Sequence, residues 1–118
     1  MKILFKKAVN KSENISIYNS ALFNENCELK FYTTKYITNS SFFIPNSKLL
    51  NKYFDPQRFD VINKENIRLT TLDNILPKKR NYDFIKIDVQ GAELAILNGA
   101  KKTLDDITGI EIEIEFKQ

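Results

Sequence analysis

The stretch from Asp83 to Phe116 constrains this chain more than any other part of it. Asp83-Phe84-Ile85-Lys86-Ile87-Asp88-Val89 is nearly continuous in apolar character on either side of Lys86, the pattern of a parallel strand buried on both faces. Gln90-Gly91 reads as a tight turn, and Ala92 to Leu104 as a helix with Ile96, Leu97, Ala100 and Leu104 facing inward. Ile107, Gly109 and the run Ile110-Glu111-Ile112-Glu113-Ile114-Glu115-Phe116 then close with a strand of strict period two. Strand, turn, helix and strand over about 34 residues have the length of a βαβ unit. Such a crossover makes the two strands parallel neighbours and is right-handed in nearly every known sheet. The fold class is therefore α/β.

The rest of the chain reads as shorter elements. Residues 1–11 have the spacing of a helix end, and Ile15-Ser16-Ile17-Tyr18 alternates like a strand. Asn24-Glu25-Asn26 is a turn cluster, and Glu28-Leu29-Lys30-Phe31-Tyr32 a second strand, so 15–33 is expected to form a hairpin-like pair. Residues 34–46 are polar with an aromatic insert, Ser40-Ser41-Phe42-Phe43, the composition of an ordered loop over a site. Asn46 or Ser47 is placed to cap a helix through Tyr53, stopped before Asp55-Pro56. Phe59 to Thr71 is strand-rich, with a turn expected at 63–66, and Leu72 to Leu76 is a short turn begun by Asp73. Lys78-Lys79-Arg80 has the character of a solvated loop.

Composition narrows the chemistry. With 118 residues and 42% hydrophobic content the chain makes one domain at most, with enough apolar side chains for a packed core. There is no histidine, which removes histidine-based nucleophile systems, a histidine general base and His-ligated zinc. A single cysteine, Cys27, permits neither an internal disulfide nor a multi-cysteine metal site. Catalysis would have to run on carboxylates, Lys, Tyr or a bound cofactor. No apolar run approaches the roughly 20 residues of a membrane helix, and the apolar stretch near Met1 is too short for a signal peptide, so the expected location is the cytoplasm. Residues 1–59 carry nine Lys/Arg against four Asp/Glu, and residues 60–118 nine against eleven. No nucleic-acid motif accompanies the basic half, and its lysines fit a solvated helix, so nucleic acid is not an expected partner.

The candidate functional residues cluster around the turn at Gly91. Asp88 stands at the carboxyl end of a strand, where open parallel sheets bind ligands. Gly91 allows an abrupt turn and a close backbone approach. Glu93 falls in the first helical turn. Each has a structural alternative: Asp88 can cap the helix, Glu93 can complement its dipole, and Gly91 can serve the turn alone. Glu111, Glu113 and Glu115 share one face of the last strand, tolerable only where that face is open to water or lines a cleft. Tyr32, Phe42 and Phe43 are packing aromatics or a stacking surface, and Lys86 a partner for a carboxylate.

The run from Tyr82 to Ala100, with Ile87-Asp88-Val89-Gln90-Gly91-Ala92-Glu93 at its centre, closely resembles the signature of FkbM-type methyltransferases. Thr71-Leu72-Asp73 resembles the short element that precedes this signature. Ser20-Ala21-Leu22 followed by Glu28-Leu29-Lys30-Phe31-Tyr32 resembles the family's strand, turn and strand after the ribose-binding region, and Ser40-Ser41-Phe42 its serine-containing loop. The resemblance runs in order from about residue 14 to residue 116. It implies a Rossmann-like methyltransferase sheet with an inserted hairpin and loop region. It also implies methyl transfer from S-adenosylmethionine, commonly to a hydroxyl of a small molecule or glycan. By position it implies Asp88 beside the methyl-transfer centre, Glu93 behind it, and Ser20 and Ala21 near the adenine edge; no metal-binding residues are assigned. A carboxylate at 88 suits proton acceptance or orientation of the reacting groups.

The chain departs from the family pattern in one region. Its only glycines are Gly91, Gly99 and Gly109, so the early glycine-rich loop that cradles the cofactor has no counterpart, nor does the acidic residue for the ribose. The expectation is a partial domain over 1–118, its final strands falling after Gln118, derived from a methyltransferase and inactive alone. A non-catalytic remnant, or a scaffold binding partners through Phe42-Phe43 and the acidic strand, is the alternative.

Overall fold

The computed structural model describes residues 15–52, 54–78 and 82–114. The helix expected over 1–11 and the last residues of the acidic strand lie outside them. The described residues form a small α/β structure with two separate sheets. The first has three strands in the order β1 (Ala21–Leu22), β3 (Val61–Thr70), β2 (Cys27–Thr34), and the second pairs β4 (Phe84–Ile87) with β5 (Gly109–Ile112). Four short helices accompany them: α1 (Ser47–Leu50), α2 (Leu72–Ile75), α3 (Glu93–Asn98) and α4 (Lys101–Leu104).

β3 is the spine of the first sheet. It runs antiparallel to β2, from Cys27 opposite Leu69 to Thr34 opposite Val61, and parallel to β1, with Ala21 opposite Leu69. The turn expected at 63–66 is absent. Asn63, Lys64, Glu65 and Asn66 instead face Thr33, Tyr32, Phe31 and Lys30 across the ladder, and a polar segment stays extended because β2 satisfies its backbone. The expected strand at Ile15–Tyr18 is also absent: Ile15 and Tyr18 are exposed, and pairing begins only at Ala21. β1 and β2 therefore make no hairpin with each other. Both flank β3.

A register shift between Thr33 and Thr34 skips Ile62 and ends the ladder. Thr34 is fully buried there, its N–H donating to Ser40 Oγ at 3.1 Å and its hydroxyl to the Tyr36 carbonyl at 2.7 Å. The chain then passes through a 3₁₀ turn at Ile37–Asn39 and returns so that Tyr32 and Ser41 exchange two backbone hydrogen bonds. Asn46 caps α1, accepting from the Leu49 N–H at 3.3 Å, but the helix ends at Leu50, short of the expected Tyr53.

The βαβ reading of residues 84–112 holds in its connectivity. β4 and β5 are parallel, Phe84 opposite Gly109 and Ile87 opposite Ile112, with helix between them. Two details differ. β4 is not buried on both faces: Ile87 packs with Ala92 and Ile96, while Phe84 and Lys86 on the other face are exposed. The expected helix 92–104 is broken after Asn98 into α3 and α4.

The break has a physical cause. Gly99 caps α3, its N–H shared between the carbonyls of Ala95 and Ile96. Its carbonyl then leaves the helix and accepts from the Asp73 N–H at 3.2 Å. The Asp73 carboxylate in turn accepts from the N–H groups of Lys102 and Thr103 at 3.0 and 2.9 Å, and from the Thr103 hydroxyl at 2.7 Å. A continuous helix would have bonded those N–H groups to carbonyls four residues earlier. Asp73 caps α4 from outside, and α4 itself has no local side-chain cap. The end of β1 supports the same junction, since Leu22 and Phe23 pack on the Ile87–Ala92–Ile96 core.

Candidate active site at the end of β4

β4 ends at Ile87, and the next residue, Asp88, is exposed. Among the described residues its carboxylate takes part in no hydrogen bond. It is not a helix cap either: Ala92 occupies that position before α3 and no side chain bonds the first turn from it. The capping alternative for Asp88 is thereby removed. Its charge is felt by Lys86, whose pKa is raised first by the hydrogen bond to Glu111, then by the Glu111 charge, with Asp88 and Glu113 adding to it.

Glu93 has a defined structural task. Its Oε1 accepts from the Gly91 N–H at 2.9 Å, and the same N–H points at the Val89 carbonyl at 2.8 Å. Glu93 thus ties down the turn that follows Asp88. Gly91 has φ +90°, a region that side chains rarely adopt. A Cβ at this position would also meet the Phe43 ring at 3.2 Å.

The loop expected to lie over a site does reach this turn. Ser41 donates its hydroxyl to the Gln90 carbonyl at 2.6 Å and accepts from the Phe43 N–H at 3.2 Å. Phe42 is a packing residue, its ring edge-on to Phe31 at 5.1 Å and to Phe23 at 6.3 Å. Tyr32 carries Lys64 over its ring at 6.0 Å. Phe43 is 45% exposed and lies beside Gly91.

Ser20 and Ala21 sit elsewhere. They lie at the start of β1 on the other sheet, Ser20 exposed and Ala21 opposite Leu69, and no hydrogen bond joins them to the Asp88 turn. Lys86 pairs with Glu111 at 2.6 Å on the open face of the second sheet, as a cation flanked by carboxylates should. That face is solvated, so Glu111 and Glu113 are both exposed. Among the described residues no group of three or more His, Cys, Asp or Glu side chains is placed to hold a metal ion. No helix among them is long and apolar enough to cross a membrane. A depression of about 280 Å³ lined by Ile44, Pro45, Leu50, Pro56, Phe59 and Val61 includes none of the candidate site residues.

Among the described residues no glycine-rich loop is available to approach a cofactor. The space a side chain would need at Gly99 is filled by the Phe23 carbonyl, and that at Gly109 by the Phe84 ring. Only Gly91 borders the site, and Phe43 covers it.

Two contributors to this region are not legible in the sequence. The pairing of Ser41 with Gln90 spans 49 residues, and nothing local marks which serine of the Ser40-Ser41 pair makes it. Asp73 reads locally as the start of a turn, and its service to α4 is signalled only by Gly99 inside a helical pattern.

What this arrangement offers chemically is an exposed carboxylate past a strand end, with no hydrogen bond among the described residues, beside a turn braced from two sides. It can accept a hydrogen bond or a proton from a group delivered to it. No curated protein and no solved structure matches the chain. A family does match, over residues 6–118. That match includes the braced Asp88 turn, and the chain belongs to the methyltransferase FkbM domain family.

Proposed function

We propose that this chain carries the acceptor side of a Rossmann-like, S-adenosylmethionine-dependent methyltransferase acting on a hydroxyl of a sugar, glycolipid or related metabolite. One observation carries the assignment of Asp88. It is an exposed carboxylate just past the end of a parallel strand, and no hydrogen bond among the described residues accounts for it. In this role Asp88 accepts the hydrogen of the acceptor hydroxyl and holds its oxygen in place. Glu93 acts on the turn and not on the reacting atoms. Ser20 and Ala21 border the adenine in this reading, and the residues that follow them, Leu22 and Phe23, pack on the core of the second sheet. When bound, S-adenosylmethionine supplies the methyl group.

In this reading the contacts that hold the cofactor are not built on Gly99 or Gly109, whose Cβ positions are filled by the Phe23 carbonyl and the Phe84 ring. The same fact supports a second reading, a non-catalytic α/β domain of the same family. The test is Asp88→Asn in a protein carrying this segment together with a glycine-rich cradle. Turnover is expected to fall roughly 10²–10⁴-fold, the usual contribution of a general acid or base, with melting unchanged. Full activity in the asparagine variant would remove Asp88 from the reaction. Absence of methyl transfer in the parent protein would favour the non-catalytic reading.

A further inference from the structure

We propose that Ser41 is a positioning residue of the site, acting with Glu93 on one peptide group to lock the turn that follows Asp88. The group is the peptide between Gln90 and Gly91. Its carbonyl accepts from Ser41 Oγ at 2.6 Å, and its N–H donates to Glu93 Oε1 at 2.9 Å. The two side chains arrive from different parts of the fold, Ser41 from the loop after β2 and Glu93 from the first turn of α3. They hold opposite poles of a single dipole.

This peptide is the one whose orientation matters. Gly91 has φ +90°, and in a tight turn a glycine after a free peptide allows that peptide to flip between turn types with little steric resistance. A flip would turn the Gln90 carbonyl away from Ser41 and the Gly91 N–H away from Glu93 together. Either anchor therefore resists the flip, and both select the same orientation.

The Ser41 hydroxyl has a second consequence. It also accepts from the Phe43 N–H at 3.2 Å, so one oxygen links the loop to the turn and seats the Phe43 ring against Gly91. Ser41 itself is fixed by its paired backbone bonds with Tyr32 in β2. The first sheet is coupled through this hydroxyl to the backbone just beyond Asp88. This role rests on the reading of Asp88 as the group that meets the acceptor, but the locking of the turn is measurable without either substrate.

The experiment is amide hydrogen exchange and carbonyl chemical shift by nuclear magnetic resonance on the 118-residue chain, comparing the native protein with Ser41→Ala and Ser41→Thr. Ser41→Ala is expected to speed exchange at Gly91 by about tenfold and to move the Gln90 carbonyl carbon upfield. The amides of the β2–β3 ladder should be unaffected. Ser41→Thr keeps the hydroxyl and should restore both signals. Glu93→Gln, reaching the other pole, should leave the Gln90 carbonyl signal near its native position while speeding exchange at Gly91. An unchanged Gly91 rate in Ser41→Ala would overturn the proposal. So would equal acceleration across the β2–β3 ladder, which would make Ser41 a general support of the loop, and so would failure of threonine to restore the signals. Because the measurement uses neither cofactor nor acceptor, a failure in it is separate from a failure of Asp88 in the methyl-transfer assay.

Discussion

Asp73 and Thr103 are joined by two hydrogen bonds to one carboxylate oxygen, from the Thr103 N–H at 2.9 Å and its hydroxyl at 2.7 Å, while the other oxygen takes the Lys102 N–H. This capping from a distance holds the junction between α3 and α4. Asp73→Ala should cost about 1–2 kcal/mol, the upper range for a lost helix cap. Chemical denaturation of the two proteins side by side measures it.

The same carboxylate gives a pH signature. Desolvation pushes its pKa up, but the Lys102 N–H, the Thr103 hydroxyl and the Thr103 N–H outweigh that, with the Lys102 charge adding to them, and the net direction is down. A group with a depressed folded pKa contributes stability above its unfolded value, near 3.9, and loses it as pH falls through the folded value. The stability gap between the native protein and Asp73→Ala should therefore be constant from neutrality to about pH 5 and close below about pH 4. A gap that persists undiminished at about pH 2 would show that packing, not the ionised carboxylate, is what Asp73 contributes.

Gly99 and Gly109 should respond differently to alanine. At Gly99 the new Cβ would collide with the Phe23 carbonyl oxygen, and backbone must move. At Gly109 it would lie 2.8 Å from the ring of Phe84, which is 58% exposed and can swing aside. Gly99→Ala is expected to cost about 3 kcal/mol or more, and Gly109→Ala about 1 kcal/mol or less. Thermal melting of both variants decides it, and the reverse order would contradict the packing at the end of β1.

Lys86 and Glu111 make a short pair on an open face, with side chains 60% and 58% exposed. The pair raises the Lys86 pKa, chiefly through the hydrogen bond from Lys86 to Glu111. A raised folded pKa stabilises below the unfolded value, about 10.4, and the contribution fades as pH climbs through the folded value. Glu111→Gln should thus lower the melting temperature only slightly at neutral pH. The difference should shrink in about 0.5 M salt and vanish at strongly alkaline pH. A large, salt-insensitive loss would mean that Glu111 supports the strand pairing itself.

On the methyl-transfer reading, the 118-residue chain alone should bind S-adenosylmethionine weakly. Its glycines serve packing at Gly99 and Gly109 and a covered turn at Gly91, so among the described residues no glycine-rich loop preorganises polar contacts to it. Calorimetric titration should give a dissociation constant weaker than about 100 µM. A value near 1 µM, about −8 kcal/mol, would mean that a cradle built without glycine holds the cofactor.

The parallel β4–helix–β5 unit is legible in the sequence because its signals are local: an apolar run, a glycine turn and a period-two strand. Segments whose conformation is imposed by distant partners are not. Residues 63–66 look like a turn by composition, yet β2 holds them extended. Ile15–Tyr18 alternates convincingly, but pairing with β3 begins only at Ala21. Helix 92–104 has continuous inward spacing, and the break comes from Asp73, 30 residues away from Thr103. At the site, Asp88 and Gly91 are visible because their positions follow from the strand and the turn. The assignment of Glu93 to the turn needs the side-chain geometry.

The register shift that ends the β2–β3 ladder has a consequence for how the chain tolerates change. Beyond it, backbone bonds from Lys35 to Asp60 and from Tyr36 to Arg58 join the two ends of the segment from Lys35 to Asp60, and the Tyr32–Ser41 pair ties it back to β2. The ends of that excursion are therefore clamped near each other before the strand resumes. Insertions between Asn51 and Asp55 would lengthen a closed loop at a cost that grows only logarithmically. Family members could vary the length and composition of this excursion, and with it the shape of whatever approaches Phe43, without disturbing the strands that carry it.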